Sequence, residues 1–481
     1  MVFRDLSFST DFAHIINGIK VYSRETQDIL NPTNEEILAS VPIATQDQLN
    51  DAVGAASLAF PTWGALAVEE RQNLVTQLGD LIKDNCDAFV ELVIKEVGKS
   101  RALAAVEVGS CVEWFHGVAT QSLPPETILD TPQRTVTVKY VPYGVCATIT
   151  PWNFPLSLLI WKLAPALVTG NCVVVKPSPY APLSAIKFVE LAQRILPPGV
   201  LSVLSGDENL GPWIVEHPNI ARISLTGSIP VGQSVMRSAA ASLKSLTLEL
   251  GGNDAAVILK DVDPKQIAPM LFWGTFFNSG QICAALKRIY IHEDIYDAVR
   301  DELVAYTKTI RIGDCLDPEV GMGPVQNKEQ YRRLRSLIEE CHAQGYKFAC
   351  GGNFFPPERK GYFLPVSIVD NPPEDSRIVQ EEQFGPVVPL LKWRNEEDVI
   401  RQMNYGDYGL AASVWSKDVK HAEEIAERLE AGTVWINESQ QFHWNQPFGG
   451  FKHSGIGVEH SKHGLVAWTN IKSITANRMG A

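Results

Sequence analysis

The apolar positions in the first 120 residues of the chain recur at helical spacing. The recurring positions are Leu49, Val53, Ala56 and Phe60. Thr45 and Gln48 stand just before them, with the separation of a capping box. This pattern predicts an N-terminal layer of helices.

From Thr135 onward, short β-rich runs alternate with helical stretches. The first series of runs is TVTVKYVPYG, GVCATIT, NCVVVK, GVLSVLSG, ARISLTGS and SLTLELGG. A second series begins near Asp254 and comprises AAVIL, RIYIH, TIRIG, LAASVWS and GTVWIN. This alternation predicts two α/β units with mostly parallel sheets, in which ligands bind beyond the carboxyl ends of the strands. A last β-like run, near NIKSITA, lies far along the chain from the other predicted strands. A strand in such a position often pairs with another subunit.

Length and charge narrow the class of protein. A chain of 481 residues is long enough for two or more domains. The net charge is −13, and the 42 Lys and Arg residues form no long basic run, which argues against a nucleic-acid partner. The uncharged segment 140–161 contains Pro142, Pro151 and Pro155, so it is predicted to form a strand, a turn and a helix start instead of a membrane helix.

The cysteines and the termini bear on location. The eight cysteines are scattered and contain no C-x-x-C pair, which fits reduced thiols. The start, MVFRDLSFSTDF, does not resemble a secretory signal, and the end, NRMGA, matches no address sequence. The cytosol is therefore the predicted compartment.

Three polar side chains stand at positions suited to catalysis. Cys283 follows a glycine-containing turn in NSGQIC, Glu249 ends a strand in LELGGN, and Asn153 lies between prolines in TPWNFP. Each has an ordinary alternative: a small core cysteine, an exposed strand-end carboxylate and a turn asparagine. Taken singly, these residues leave the choice open.

The chain lacks the G-x-G-x-x-G fingerprint of dinucleotide-binding proteins. In ISLTGSIPVG a turn at Thr226–Ser228 joins a strand to a helix, so free backbone N–H groups could face an anion. Lys176 ends the apolar run VVVK and is a second candidate. A plain capped helix and a snorkelling surface lysine are the ordinary explanations of these two features, and the capped helix is favoured when the turn is considered alone.

Other features are not assigned to chemistry. His460 and His463 lie in a polar stretch without cysteines or carboxylates at metal spacing, so they are predicted to be surface residues. No metal site is predicted. The acidic stretches EDVI and HAEEIAERLE are typical of solvated helix faces.

The order and spacing of the motifs resemble the aldehyde dehydrogenase superfamily over nearly the whole chain. The motifs are ING, NPTNEEILASVP, PWNFPLSLLIWKLAPAL, VVVKPS, LTGSIPVG, LELGGN, NSGQIC, EEQFGPVVPL, GLAASVWSKD, GTVWIN and PFGGFKHSGIG. The resemblance implies an α/β fold with a Rossmann-like cofactor domain, an α/β catalytic domain and a small β oligomerisation extension. On this basis residues 1–123 and 142–250 form the cofactor domain, 251–456 the catalytic domain, and 124–141 with 457–481 the oligomerisation segments.

The resemblance also assigns roles to residues. Cys283 is expected to be the nucleophile, Glu249 the general base and Asn153 an oxyanion donor. The implied reaction oxidises an aldehyde to a carboxylic acid through a cysteine thioester, with hydride transfer to a nicotinamide cofactor. The expected cofactor contacts are Ile149, Thr150, Trp152, Lys176, Ser178, Gly206, Gly227, Ser228, Gly232, Leu250, Glu382 and Phe384.

One departure from the family pattern affects the choice of cofactor. Many members carry a glutamate after KPS, whereas this chain has Pro179. Asp207 and Glu208 follow a strand end on the expected adenosine side and would repel a 2′-phosphate. NAD is therefore the expected cofactor and NADP the alternative.

The resemblance places a hydrophobic wall around the aldehyde tunnel. Its expected substrate contacts are Phe154, Leu158, Trp161, Ile282, Phe442 and Phe448. No arginine or lysine occurs between Asn437 and Phe451, and Lys162 is expected to point away from the wall. A neutral apolar or aromatic aldehyde is the predicted substrate.

Other functions remain open at this point. The chain could be a catalytically silent binding or structural protein of the same fold, or a cysteine hydrolase that pairs Cys283 with a histidine. A CoA-acylating relative is a closer alternative, but such members generally lack the glutamate base. A homodimer or dimer of dimers is expected, because segments 124–140 and 468–476 resemble the family's oligomerisation strands.

Overall fold

The computed structural model describes residues 11–478. Residues 1–10 and 479–481 lie outside the described residues. The expectations about targeting rest on residues 1–12 and 477–481, so most of these two segments lies outside the described residues. The elements up to residue 142 are β1 (His14–Ile16), β2 (Ile19–Val21), β3 (Thr26–Leu30), β4 (Ile37–Pro42), α1 (Gln46–Ala65), α2 (Val68–Asp84), α3 (Cys86–Val97), α4 (Arg101–Ala119), β5 (Glu126–Asp130) and β6 (Arg134–Pro142).

The central part of the chain alternates strands and helices. Its elements are β7 (Val145–Ile149), α5 (Ser157–Val168), β8 (Cys172–Lys176), α6 (Leu183–Ala192), β9 (Leu201–Val203), α7 (Leu210–Glu216), β10 (Arg222–Thr226), α8 (Ile229–Ala240) and β11 (Ser245–Glu249). The first series of predicted strands is thereby confirmed. The uncharged segment 140–161 forms the end of β6, all of β7, a turn and the start of α5, as expected.

The rest of the chain forms a second α/β unit and a C-terminal strand. Its elements are β12 (Asp254–Ile258), α9 (Pro264–Phe276), β13 (Leu286–His292), α10 (Tyr296–Thr307), α11 (Lys328–Ala343), β14 (Lys347–Cys350), β15 (Ser367–Asp370), α12 (Arg377–Gln380), β16 (Val387–Trp393), α13 (Glu396–Asn404), β17 (Ala411–Trp415), α14 (Val419–Ala426), β18 (Thr433–Ile436), β19 (Gly455–Ile456), α15 (Ser461–Ala467) and β20 (Thr469–Asn477).

The predicted N-terminal helix begins at its predicted cap. The Thr45 hydroxyl accepts from the Gln48 N–H at 3.2 Å, and the Gln48 side chain accepts from the Thr45 N–H at 3.0 Å. The helix buries Leu49, Val53 and Ala56 as the spacing predicts. Strands β1 to β4 precede this helical layer and were not predicted from the sequence.

Two large sheets carry most of the strands. The first has the order β19-β11-β10-β7-β8-β9-β1-β2, and its strands from β11 to β9 are mutually parallel. The second has the order β14-β15-β16-β13-β12-β17-β18 and is parallel except for β14. Because the central strands of the first sheet run in one direction, their carboxyl ends meet at one edge.

One predicted strand is wrong. The run TIRIG forms no strand, and its only β contact among the described residues is an isolated bridge between Ile312 and Met322. The backbone N–H groups of Gly321 and Met322 both bond to the Arg311 carbonyl, which closes this segment into a local loop. The segment therefore lies outside the second sheet despite its apolar alternation.

A separate antiparallel sheet has the order β20-β6-β5. Strand β20 pairs with β6 from Thr469 opposite Pro142 to Asn477 opposite Arg134. Most residues of β5 and β20 are exposed to solvent. Elsewhere, residues 11–478 contain no helix long and apolar enough to cross a membrane.

Candidate active site

The loop before Cys283 has an unusual backbone. Asn278 and Ser279 adopt φ angles of 50° and 56°, and Gly280 follows at 74°. For the two residues with a side chain, this left-handed conformation costs about 1–2 kcal/mol each. A Cβ at Gly280 would lie 2.2 Å from the Gly385 carbonyl oxygen, so only glycine fits. The loop is held in a single geometry that leads into Cys283.

Side-chain hydrogen bonds join this loop to Asn153. The Asn278 amide donates to the Asn153 carbonyl at 3.1 Å, and the Asn153 amide donates to the Gln281 carbonyl at 3.0 Å. The Ser279 hydroxyl donates to the Gly323 carbonyl at 2.9 Å. A side-chain amide has two N–H donors, so the bond to Gln281 leaves Asn153 one more. Asn153 and Cys283 line the same cavity.

Glu249 ends β11 and is buried. Neither of its carboxylate oxygens has a hydrogen-bond partner of good geometry among the described residues. Burial raises the pKa of Glu249 to about 7, while the Lys162 ammonium and the Cys283 thiol act in the opposite direction. A carboxyl group with such a pKa can take up and release a proton near neutrality.

The Cys283 side chain is a thiol in this environment. Burial, followed by the charge of Glu249, raises its pKa well above the ordinary value, and the Lys287 ammonium lowers it. The cysteine therefore needs a base to form the thiolate. Glu249 is the carboxylate that acts on it most strongly.

Lys162 follows Trp161 on α5 but does not line the cavity, in agreement with the predicted direction of its side chain. Its Nζ lies 2.5 Å from Glu459 Oε1, and the Ser224 hydroxyl donates to the same oxygen at 3.2 Å. This buried pair places a positive and a negative charge near Glu249.

His460 corrects an expectation, because it is buried and not on the surface. Its ring lies 4.3 Å from the Trp161 ring and 5.3 Å from the Trp114 ring, measured between centroids. Burial lowers the pKa of His460 to about 4, so the ring is neutral at pH 7. The packing of aromatic side chains explains the burial of a histidine in a polar stretch. His463 is exposed as expected.

The expected cofactor residues of the first sheet lie along the carboxyl edge of its parallel strands. The register pairs Ile149 with Lys176, Leu225 with Ile149, and Thr226 with Glu249. The residues at or just beyond this edge are Ile149, Thr150, Trp152, Lys176, Ser178, Gly206, Gly227, Ser228 and Leu250. Lys176 is buried, which excludes the alternative of a surface lysine.

The start of α8 is open to an anion. Ser228 precedes the helix without a side-chain hydrogen bond to it, so no capping side chain satisfies the N–H groups of the first turn. A Cβ at Gly232 would lie 2.5 Å from Leu250, so glycine allows α8 to approach the strand end closely. These features fit a helix N-terminus that binds a phosphate.

Glu382 and Phe384 come from the second unit. The Gly252 N–H donates to Glu382 Oε1 at 3.2 Å, and the Phe384 ring lies 5.3 Å from the Trp152 ring. Glu382 thereby lies beside the segment that follows Glu249. The structure therefore places the expected cofactor contacts Glu382 and Phe384 next to Trp152 and to the segment that follows Glu249.

A cavity of about 660 Å³ leads to Cys283. The expected wall residues that line it are Phe154, Leu158, Trp161, Ile282 and Phe442. Phe448, expected in the same wall, instead packs behind it, with its ring 5.1 Å from Phe442 and 6.2 Å from Trp161. No lysine or arginine is among the lining residues.

Sequence reasoning missed several cavity residues. They are Trp114 on α4, Met270 and Trp273 on α9, and Gln440 after β18. The Trp114 ring stacks on Trp161 with centroids 5.3 Å apart. Nothing in the local sequence pattern distinguishes a cavity-wall position from a core or loop position, so the sequence gives no signal for these residues.

The chain matches known proteins along its whole length. The profile of the aldehyde dehydrogenase family matches residues 20–474. The aldehyde dehydrogenase LUC3 of Fusarium sp. is 38% identical over 465 residues, covering 97% of this chain and 98% of the relative. The phenylacetaldehyde dehydrogenase of Pseudomonas fluorescens is 34% identical over 474 residues, covering 95% and 93%.

Solved structures agree with this result. The betaine aldehyde dehydrogenase of Staphylococcus aureus in complex with NAD+ is 32% identical, with a TM-score of 0.95, and the match covers 98% of this chain and 96% of that one. The chain therefore belongs to the aldehyde dehydrogenase family.

Proposed function

We propose that this protein oxidises a neutral apolar or aromatic aldehyde to the carboxylic acid, with NAD+ as oxidant and Cys283 as nucleophile. The observation that carries the proposal is that Cys283 and Asn153 line a cavity without cationic lining residues, while Glu249 interacts with Cys283. In the balanced reaction, aldehyde, NAD+ and water give carboxylic acid, NADH and a proton.

The carboxyl edge of the first sheet fits a dinucleotide. Lys176 and the start of α8 would hold its ribose and phosphate groups, and Glu382 its second ribose. When bound there, the dinucleotide supplies the two-electron oxidant that takes the hydride from the substrate carbon. The S. aureus structure contains NAD+.

The residues of this chain perform the other steps. The Cys283 thiol releases its proton to solvent and its sulfur attacks the aldehyde carbon, while the second N–H of the Asn153 amide and the Cys283 backbone N–H stabilise the oxyanion. After oxidation the acyl group remains on sulfur as a thioester. Glu249 then deprotonates a water molecule, which displaces the thiolate and releases the acid.

The cavity supports a neutral substrate. The lining contains the carboxylates of Glu113 and Glu438 and no lysine or arginine, and the Lys99 ammonium behind the Phe154 ring is already paired with Glu107, so a carboxylate-bearing aldehyde would find no free cation in the wall. The tryptophan and phenylalanine rings offer stacking worth about 0.5–1.5 kcal/mol per aromatic pair. A hydrolase would leave the cofactor edge unexplained, and a silent protein of the same fold would leave the combination of Cys283, Glu249 and Asn153 unexplained.

The test measures kcat/KM for phenylacetaldehyde, hexanal, betaine aldehyde and succinic semialdehyde, each with NAD+ and NADP+. We expect phenylacetaldehyde or hexanal to exceed succinic semialdehyde by about tenfold, equivalent to about 1.4 kcal/mol. Cys283→Ser is the control and should abolish turnover while NAD+ affinity stays unchanged. If a charged aldehyde wins by that factor, the substrate assignment is wrong. If Cys283→Ser stays active, the nucleophile is wrong.

Assembly and location are part of the proposal. We place the protein in a reducing compartment such as the cytosol, since all eight cysteines are free thiols in the structure. We also propose that the β20-β6-β5 sheet mediates formation of a dimer or a dimer of dimers. The division into cofactor, catalytic and oligomerisation segments belongs to the same proposal.

A further inference from the structure

Lys287 occupies the start of β13, four residues after Cys283, and is buried. Its Nζ lies within hydrogen-bonding distance of four oxygens. They are the carbonyls of Gly252 at 3.0 Å, Ile282 at 2.6 Å and Cys283 at 2.7 Å, and Glu382 Oε1 at 3.1 Å. An ammonium has only three protons, so these acceptors compete for it.

The four acceptors belong to three separate segments. Gly252 follows Glu249 closely, Cys283 and Ile282 form the nucleophile loop, and Glu382 comes from the segment expected to hold the cofactor. A Cβ at Gly252 would lie 2.6 Å from the Cys283 carbonyl oxygen, so the segments meet too closely for any larger residue there. One ammonium therefore cross-links the base, nucleophile and cofactor segments.

The charges around Cys283 show what this ammonium does. Glu249 and Asp254 raise the pKa of the thiol, whereas Lys287 lowers it. Burial raises the pKa of Asp254 to about 8, so this carboxyl group is largely neutral at pH 7. Arg288, the next residue, is directed elsewhere and donates to the carbonyls of Asn253, Gln402 and Met403.

We propose that Lys287 is a positioning residue that couples the cofactor-binding segment of Glu382 to the Cys283 loop. Its ammonium donates to the carbonyls of that loop and also to the Glu382 carboxylate, which neutralises part of its positive charge. When Glu382 accepts hydrogen bonds from a cofactor ribose, less of the Lys287 charge is neutralised and the Cys283 thiolate is favoured. This inference rests on the proposed function of Cys283 and Glu382. It adds a link by which cofactor binding activates the nucleophile.

The experiment measures alkylation of Cys283 by iodoacetamide across pH, with and without saturating NAD+. Mass spectrometry of the peptide containing Cys283 separates it from the other cysteines. In Lys287→Met we expect the midpoint of the pH profile to rise by about one unit or more, because a nearby cation is lost. We also expect NAD+ to lower the midpoint in wild type and to have no effect in Lys287→Met. Lys287→Arg should retain part of both effects.

Lys244→Met is the matched control. The Lys244 ammonium likewise donates to two backbone carbonyls, those of His217 and Ile220, but it lies at the opposite end of β11 from Glu249. Its loss should leave the Cys283 profile unchanged. An unchanged midpoint in Lys287→Met, or an equal NAD+ effect in wild type and variant, would refute the proposal.

A second variant keeps the test valid if Lys287→Met does not fold. Glu382→Gln removes the negative charge that neutralises part of the Lys287 charge, and it keeps the shape of the Glu382 side chain. The midpoint for Cys283 should then fall, and an unchanged or higher midpoint contradicts the proposal. Alkylation needs no turnover, so these results are separate from the aldehyde assays. A wild-type enzyme that oxidises aldehydes but shows no midpoint shift refutes only the role of Lys287.

Discussion

Among single residues, Glu249 combines complete burial with two carboxylate oxygens that accept no well-aligned hydrogen bond from the described protein. Such a group is free to bind a water molecule. In Glu249→Gln we expect hydrolysis of the thioester to slow by about 10²–10⁴-fold, the usual contribution of a general base. Acylation should change less, so a burst of NADH should remain while steady turnover falls. Stopped-flow measurement of NADH tests this, and equal loss of both phases would assign Glu249 another role.

The pKa of Glu249 predicts the pH dependence. Because burial raises the pKa from 4.5 to about 7, the carboxyl group is protonated at lower pH and cannot accept a proton from water. The rate of deacylation should therefore fall by about tenfold for each pH unit below 7. Single-turnover hydrolysis of the acyl-enzyme between about pH 5.5 and 8 measures this directly. A rate independent of pH over that range would contradict the role of Glu249.

The candidate catalytic residues could be proposed from the sequence because they lie in motifs, whereas the side chains that surround them could not be predicted. NSGQIC, LELGGN and TPWNFP identified Cys283, Glu249 and Asn153. His460 was expected on the surface, since its partners Trp114 and Trp161 are more than 200 residues distant in sequence. Lys287 could have been noticed as a charge in an otherwise buried strand, but two of its acceptors, Gly252 and Glu382, come from distant parts of the sequence.

At the scale of elements, the start of α5 depends on a buried ion pair. The Glu107 carboxylate on α4 accepts from the N–H groups of Leu156 and Ser157 at 3.1 and 3.3 Å. Its other oxygen lies 2.5 Å from Lys99 Nζ, and that ammonium lies 3.2 Å from the centre of the Phe154 ring in the cavity wall. The pair thus fixes the helix that carries Leu158 and Trp161.

Removal of Glu107 should destabilise the protein strongly. In Glu107→Gln the Lys99 ammonium stays buried without its counter-ion, and we expect the free energy of unfolding to fall by about 3–5 kcal/mol. The control is Glu91→Gln, which breaks the exposed pair with Lys95 on α3 and should cost less than about 1 kcal/mol. Urea unfolding followed by tryptophan fluorescence compares them, and equal losses would contradict this assignment.

The carboxyl end of β8 bears on the choice of cofactor. Burial lowers the pKa of Lys176 to about 8, and the Asp207 carboxylate opposes this shift. Asp207 therefore acts on the lysine expected to hold the adenosine ribose, and it would repel a 2′-phosphate there. We expect NAD+ to be preferred over NADP+. In Asp207→Asn the relative efficiency with NADP+ should rise about threefold to tenfold, since a repulsive charge is removed.

The Asp207 variant keeps a structural hydrogen bond. Asp207 Oδ1 accepts from the Asn209 N–H at 2.9 Å, and an asparagine oxygen can accept the same bond. The bond from the Asn209 side-chain amide to Asp207 Oδ2, at 3.0 Å, is lost, so the variant changes one loop contact together with the charge. Steady-state kinetics with both cofactors give the result. An unchanged ratio would remove Asp207 from cofactor selection, and a tenfold wild-type preference for NADP+ would overturn the choice of NAD+.

The strands next to the site were predictable and several peripheral strands were not. Strands β7 and β8 are nearly apolar runs, which is the pattern of buried parallel strands. Strands β10 and β11 alternate isoleucine or leucine with serine or threonine, which is also a clear strand pattern. Strands β1 and β2 have only three residues each, and β2 to β4 are partly exposed, so their patterns are weak. For TIRIG the error is the reverse, because a strand was predicted where the structure has none. A strand needs a neighbouring strand to pair with, and alternation of apolar residues does not show whether one is present.

For the whole molecule, the β20-β6-β5 sheet is the feature that points beyond one chain. Strand β6 has both neighbours, whereas β5 and β20 are edge strands within residues 11–478. Large apolar side chains on these edge strands are exposed, with Ile471 at 65% and Ile128 at 64%. Exposed apolar edges of this kind favour association.

We expect light scattering to show a dimer or tetramer of the 53.0 kDa chain. The double variant Ile471→Lys with Ile474→Lys places two charges on β20 and should shift the protein toward smaller species, because a buried unpaired charge opposes association. Val419→Lys is the control, since Val419 is 49% exposed on α14, away from this sheet. A wild-type protein found only at 53.0 kDa at micromolar concentration would refute the assembly. If the double variant and the control kept the same mass as an oligomeric wild type, the interface would lie on another surface.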